Sequence, residues 1–410
     1  MVRLVDHLPD NVSVDSVART LVPTNHGRIR MTWSKALNGF VVETSEQDAI
    51  ALSKHPLVEF VEEDEIVQVA TVQSIPSGPL VQEAPATMWY LDRIDQAAPT
   101  APRTNGSYWY CTTGQGVRIY IVDTGVLDIH PDLLWGNGSS RVTEVPELVA
   151  YLKSRGEYLL KSQCWTTFEL GPDASHGTAV AGFAAGTTFG VAKLATIADW
   201  RTFNCSGQQV ASYIVDSLNY IPQDPHWLGE PRVVNCSFAA PQFAMISAAA
   251  DGLVTNYGMT VVVAAGNENS DTLLFSPAGG GHVITVGGLA QATDTRWQYS
   301  NYRVDLYAPA QWVEGISTSI RALFPQLDHD KYRSELAQCY SYPQDGCTSG
   351  TSFASPIVAG LAARYLQLHH SATAADVLNY LESQASSHVN LLVSDPVGSA
   401  PIANTYDCSQ

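Results

Sequence analysis

At 410 residues, with 45% hydrophobic and 15% charged side chains, the chain can bury a large core and is too apolar to be disordered. A formal charge of −18, with no basic run, excludes nucleic acid as a partner. No run of about 18 apolar residues occurs, which excludes a membrane-spanning helix.

Residues Met1–His7 carry charge with no apolar stretch behind it, so no signal peptide is visible in the chain. Val2–Val5 reads as a short strand and Val12–Leu21 has helical periodicity. Arg28–Trp33 and Leu37–Glu43 alternate as strands, Glu46–Lys54 reads as a second helix, and Leu57–Val67 as one closing strand. The order βαββαβ predicts a small ferredoxin-like α/β unit over residues 1–70. Residues 71–88 hold Pro76, Ser77, Gly78, Pro79 and Pro85 with little periodicity and predict a linker. From 89 to 395 strands and helices alternate, which predicts an α/β domain of three layers with a mainly parallel sheet. Residues 396–410 are expected to form a tail.

Within that larger domain, Val117–Val122 is a β-branched run that ends in Asp123-Thr124-Gly125. His176-Gly177-Thr178 opens a run of small residues suited to a closely packed helix. Thr260–Ala264 is another apolar strand, continuing into Ala265-Gly266-Asn267. Gly350-Thr351-Ser352 precedes the apolar run Ile357–Leu366, so Ser352 falls at a helix N-terminus, beside backbone N–H groups with no intrahelical partner. Taken alone, Ser352 reads as a helix cap and Asn267 as a turn residue. Together, a serine, a histidine and an aspartate at the edges of apolar elements supply a nucleophile, a proton relay and a group that holds the imidazole. The amide of Asn267, with the Ser352 N–H, would make a two-donor oxyanion hole.

Seven cysteines, at 111, 164, 205, 236, 339, 347 and 408, lack any CxxC or Cys/His spacing. Disulfides are expected instead, with at least one thiol left over, and Cys339 and Cys347 flank a turn-rich loop they could close. Asn-x-Ser triplets begin at Asn11, Asn105, Asn137, Asn204 and Asn235. Asn235 follows an apolar strand and is expected to be buried.

The four ordered motifs resemble those of subtilisin-like serine proteases, closest to the proteinase K branch, over most of residues 1–395. The resemblance implies that Asp123, His176 and Ser352 form the triad and that Asn267 is the oxyanion amide. Trp89–Gln96 resembles the opening of the mature enzyme. Asn38-Gly39-Phe40 and His55–Asp64 resemble the inhibitory pro-segment of such zymogens, which implies that residues 1–70 lay a strand through the active site and are cut off between Gln68 and Thr87. Ser206 and Gly207, with Ser237, Phe238, Ala239 and Ala240, resemble the two segments that sandwich an extended peptide. Ala264, Ala265 and Gly266 are implied beside them. Gly281, Val283 and Asp305 match a calcium site of this branch, so a structural Ca2+ is implied, while the chemistry itself requires no cofactor. Protein or peptide substrates, a secreted location and a monomer are the remaining implications.

The chain also departs from the family pattern. Phe238-Ala239-Ala240 stands where Leu-Gly-Gly is usual, and Ala179 where a second histidine is common. Segments 144–161 and 321–348 look like insertions near the active-site rim, for which surface decoration is the simpler reading. A second function class remains open, a binding protein on a protease scaffold with a permanently docked pro-segment. An aspartic protease built on Asp123-Thr124-Gly125 fails, because no second such triplet exists to share a proton.

Overall fold

A computed structural model of the chain describes residues 1–9, 12–23, 25–68, 88–95, 108, 110–155, 176–204, 206–291, 294–311, 313–316, 347–388, 392–395 and 398–403. The linker to residue 87, most of the 321–348 insertion and Cys164, Cys205, Cys339 and Cys408 lie outside the described residues.

The N-terminal unit runs β1 (Val2–Leu4), α1 (Val14–Leu21), β2 (Gly27–Ser34), β3 (Asn38–Thr44), α2 (Glu46–Leu52) and β4 (Val58–Val61). Its antiparallel sheet has the order β2-β3-β1-β4, the expected ferredoxin-like arrangement. Ser13 and Ser45 cap the two helices, each hydroxyl accepting from the N–H three residues on. Val2, Leu4, Val14, Val17, Phe40 and Val58 close a small core of its own.

The single closing strand expected over Leu57–Val67 is two. β4 ends at Val61, and β5 (Ile66–Gln68) begins after Glu62-Glu63-Asp64-Glu65. At the break, two of these carboxylates reach positively polarised helix ends. Glu62 accepts from the N–H groups of Ala244 and Met245 at 2.9 and 2.7 Å. Asp64 accepts from the N–H of Ser212 at 2.6 Å and from its hydroxyl.

The larger unit contains α3 (Trp89–Ile94), β6 (Arg118–Asp123), β7 (Val142–Glu144), α4 (Pro146–Ser154), α5 (His176–Ala185), β8 (Thr196–Arg201), β9 (Gln208–Val210) and α6 (Ala211–Tyr220). It continues with β10 (Arg232–Cys236), β11 (Ala240–Pro241), α7 (Ala244–Tyr257), β12 (Thr260–Ala264), β13 (Phe275–Ser276), β14 (Ile284–Leu289), β15 (Leu306–Pro309), α8 (Thr351–Leu366) and α9 (Ala374–His388). Seven strands form one parallel sheet in the order β15-β14-β12-β10-β6-β8-β7.

Side chains of a strand alternate between faces, so each central strand feeds two cores. Ile119 and Ile121 of β6 join Val233, Val262, Ile284 and the apolar faces of α5 and α8. Tyr120 and Val122 join Val234, Val261 and Val263 with α4, α6 and α7. Met31, Trp33, Ala36 and Leu37 of the N-terminal unit belong to this second core.

Two expectations change in detail. The 144–161 insertion is not mere decoration, because its helix α4 buries Leu148 and Leu152. The chain beyond 395 is not a detached tail throughout. Residues 392–395 and 398–401 pair as a hairpin, and the Ala403 N–H donates to the Tyr307 carbonyl of β15 at 2.9 Å.

Candidate active site

β6 lies between β10 and β8, buried along its length, and delivers Asp123 at its carboxyl end, where open parallel sheets place their sites. Both carboxylate oxygens of Asp123 face Nδ1 of His176, at 2.9 and 3.0 Å. The pair is held closely by a small residue. The Gly177 N–H donates to Thr124 Oγ1 at 3.1 Å, and a Cβ on Gly177 would lie 2.5 Å from the Gly125 carbonyl. Asp123 also accepts from the Thr124 N–H at 2.7 Å. Nδ1 is thereby committed to the carboxylate, so proton exchange with a hydroxyl would pass through Nε2.

Ser352 is the second residue of α8 and is fully buried. Its hydroxyl donates to the Ser237 carbonyl at 3.1 Å, and the Ser237 hydroxyl donates to the Ser352 carbonyl at 2.8 Å. Asn235 braces both segments, donating to the Ser237 hydroxyl at 2.9 Å and accepting from Ser355 at 2.7 Å. As expected, Asn235 is buried. The next residue, Phe353, brings its ring to 5.6 Å from the His176 ring, which places the start of α8 beside the Asp–His pair.

Asn267 sits opposite the same helix end. Its Oδ1 accepts from the N–H and the hydroxyl of Thr351, at 3.0 and 2.9 Å, and the Gly266 N–H donates to that hydroxyl at 3.0 Å. With the carbonyl oxygen committed twice, the amide orientation is fixed. Nδ2 is left buried with no hydrogen-bond partner among the described residues, 3.6 Å from where a Cβ on Gly350 would lie. A buried donor left open is costly unless a ligand or a transition state uses it.

Gly266 stands at φ 99°, where a side chain is strained, and a Cβ there would lie 2.4 Å from Asn301 Nδ2. Asn301 ties down the loop by donating to Ala265 O and Glu268 Oε2, both at 2.8 Å, while accepting from the N–H groups of Glu268 and Ser270. Sequence reasoning missed Thr351 and Asn301. Thr351 lay next to Ser352 and was readable by adjacency. Asn301 is distant in sequence and carried no signal.

The segments expected to hold substrate are more varied. Gly207 takes φ 64° in a turn where Asn204 Oδ1 accepts from the N–H groups of Ser206 and Gln208, both at 2.9 Å. β9 follows, and β5 pairs with it antiparallel in the register Ile66↔Val210, Val67↔Gln209, Gln68↔Gln208. The Phe238 ring is fully buried against Phe203, so any part it has in binding is through its backbone. Ala240 pairs with Ser276 in the β11–β13 ribbon, while the Ala239 methyl lies 3.2 Å from where a Cβ on Gly266 would stand. Ala264 and Ala265 are buried, and the Ala265 N–H donates to the Val286 carbonyl.

Cys236, at the end of β10, is a free thiol. Burial, with the Asp123 charge nearby, pushes it far above the ordinary thiol range, so it stays protonated and unreactive. Ala179 is a half-buried residue packed against the core. Gly281 and Val283 border β14. Asp305 accepts from the Thr285 N–H at 2.7 Å, and burial, with Glu382 nearby, raises its pKa.

The family model for the subtilase family matches residues 114–399. The chain belongs to the subtilase family. A second model, peptidase inhibitor I9, matches residues 10–70, which makes the N-terminal unit of this subtilase an inhibitor-type pro-segment. An extracellular serine proteinase of Thermus sp. (strain Rt41A) is 34% identical over 364 residues, spanning 88% of this chain and 74% of that protein. Proteinase R of Parengyodontium album is 28% identical over 369 residues, spanning 88% of this chain and 78% of that protein. The crystal structure of a cold-adapted subtilisin-like serine proteinase superposes with a TM-score of 0.58 at 29% identity. It covers 80% of this chain and 100% of that one. This subtilase is accordingly a serine protease with a zymogen pro-segment.

Proposed function

We propose that this subtilase is an endopeptidase that works through Asp123, His176 and Ser352 and matures by cutting off its own pro-segment. The observation that carries the reading is the pairing of a doubly held His176 with an Asn267 amide fixed by Thr351, on two sides of the Ser352 helix end. Ser352 Oγ attacks the scissile carbonyl as His176 Nε2 takes its proton, and Asp123 offsets the imidazolium charge. The carbonyl oxygen gains negative charge and is met by Asn267 Nδ2 and the Ser352 N–H, with the helix dipole behind them. Collapse gives the acyl-enzyme and expels the amine, which takes its proton from His176. Water then attacks with the same base.

An extended peptide would run along the Ser206-Gly207 edge and the Ser237–Ala240 segment. The pairing of β5 with β9 supports this, since it leads the pro-segment directly toward Gly207. The methyl of Ala239 beside Gly266 would narrow the pocket before the scissile bond and disfavour large aromatic side chains there. A structural calcium would be held by the Gly281 and Val283 carbonyls with Asp305. These are hard oxygen donors, and a cation would offset a buried carboxylate that now sits near Glu382. Secretion, by likeness to the extracellular relative, and disulfides, supported by a bonded Cys111, complete the reading, with a monomer as the working form.

A fluorogenic peptide and an active-site serine probe, applied to purified protein, test the proposal together. Hydrolysis with label on Ser352 is expected. A full chain that self-cleaves yet never hydrolyses peptide would instead favour the docked binding protein.

A further inference from the structure

Away from the cleft, the pro-segment makes a second contact. The turn between β2 and β3 is wedged between α6 and α7. Asn219 Oδ1, on α6, accepts from the N–H groups of Lys35 and Ala36, both at 2.9 Å. Asn256 Nδ2, on α7, donates to the Ala36 carbonyl at 3.2 Å. One turn back on α7 stands Gly252, where a Cβ would lie 1.8 Å from that same carbonyl oxygen. No side chain fits there without moving the turn.

Trp33, one residue before the end of β2, is fully buried, and its indole N–H donates to Asp216 Oδ1 at 2.9 Å. Asp216 is itself wholly buried on α6. It accepts from the Tyr151 hydroxyl at 3.1 Å and faces Arg155 Nε at 3.8 Å. Tyr151 comes from α4, within the stretch by which this chain departs from the compact family pattern, and stacks on Tyr220 of α6 at 4.5 Å.

A carboxylate out of water depends on each of its donors, and a partner that fails to supply one leaves it unsatisfied. Such a site discriminates by what it lacks as much as by what it gains. We propose that the recess formed by Asp216, Asn219 and Gly252 is a recognition site separate from the cleft. Its partner is a β-hairpin whose turn presents two successive N–H groups and whose preceding strand carries a tryptophan one residue before its end, as in this chain's own pro-segment. The inference rests on reading residues 1–70 as the inhibitor. It assigns selectivity among pro-segments to Trp33 and the Ala36 turn rather than to β5.

The full chain is allowed to cleave itself and is then diluted, and peptide hydrolysis is followed as the cut segment dissociates. Trp33→Phe keeps an aromatic side chain and removes the donor. Half-maximal activity should then appear at a concentration about tenfold or more above wild type, the equivalent of one lost charged hydrogen bond. The freed enzyme is identical in sequence, so its final activity should match. Asn219→Ala, measured the same way, serves if Trp33→Phe does not fold. Release within twofold of wild type in both variants would overturn the proposal.

If wild type never cleaves itself, the protease reading fails, and the recess is tested apart from it. In the uncleaved Ser352→Ala chain, hydrogen exchange at the Lys35 and Ala36 amides should quicken about tenfold on adding Trp33→Phe, with β6 amides unchanged. Equal exchange with and without the substitution would sink the idea.

Discussion

The pro-segment meets the protease at two places built on different principles. β5 joins β9 by backbone pairing over three residues, with Ile66 still 57% exposed. The end of β2 and the turn after it bury Trp33, Ala36 and Leu37 against side chains of α6 and α7. Backbone pairing tolerates many sequences, as the proposed peptide groove would require. A buried turn with satisfied polar groups accepts few. On the proposed reading, the first contact would mimic an extended peptide and the second would supply selectivity. Removing a buried tryptophan typically costs about 3–5 kcal/mol, whereas a half-exposed isoleucine contributes far less.

The largest expected effect separates chemistry from docking. Ser352→Ala should lower turnover by roughly 10⁶-fold and abolish self-cleavage, while the chain still folds and stays full length with its pro-segment attached. Activity within tenfold of wild type would remove Ser352 from the reaction. Asn267→Ala should lose about 10²–10³ in kcat, or roughly 2.7–4 kcal/mol, with KM nearly unchanged, because the open amide acts on the developing oxyanion. A rise in KM alone would contradict that role.

Calcium at about a hundredfold over its Kd should stabilise the fold by roughly 2.7 kcal/mol and raise Tm, with Asp305→Ala removing part of the rise. A chelator that leaves the melting curve unmoved would empty the proposed site. Thr351→Val keeps volume but deletes the hydroxyl between Gly266 and Asn267, so kcat should fall about tenfold, near 1.4 kcal/mol, with pro-segment release unchanged. A loss of binding instead would mean that the hydroxyl holds substrate. The smallest effect sharpens the contrast directly. Ile66→Ala should shift release of the cleaved segment by no more than about threefold. A larger shift than that of Trp33→Phe would reverse the assignment of the two contacts.

Much of this protein was legible in its sequence, because it depends on short-range rules. β-Branched runs ending in Asp123 and in Ala264-Ala265-Gly266-Asn267 announced buried strands with polar ends. The helix after Ser352 followed from an apolar run behind small residues, and βαββαβ spelled the ferredoxin-like unit. The reading erred where local pattern met a distant partner. Leu57–Val67 alternates well enough for one strand, yet Glu62 and Asp64 turn toward helix ends nearly two hundred and one hundred and fifty residues away. α4 looked like a tolerated insertion until its packing on α6 placed Tyr151 against Asp216.

The sequence by itself determined the elements and the chemistry-bearing residue types, since periodicity and residue type act within a few positions. Tertiary structure decided which groups face one another. Thr351 fixing the Asn267 amide, Asn301 bracing Gly266, and Trp33 reaching Asp216 all join residues far apart in the chain or on different elements. Hydrogen-bond geometry is set to tenths of an ångström by packing on the parallel sheet, and no local pattern encodes which distant donor a buried acceptor will meet.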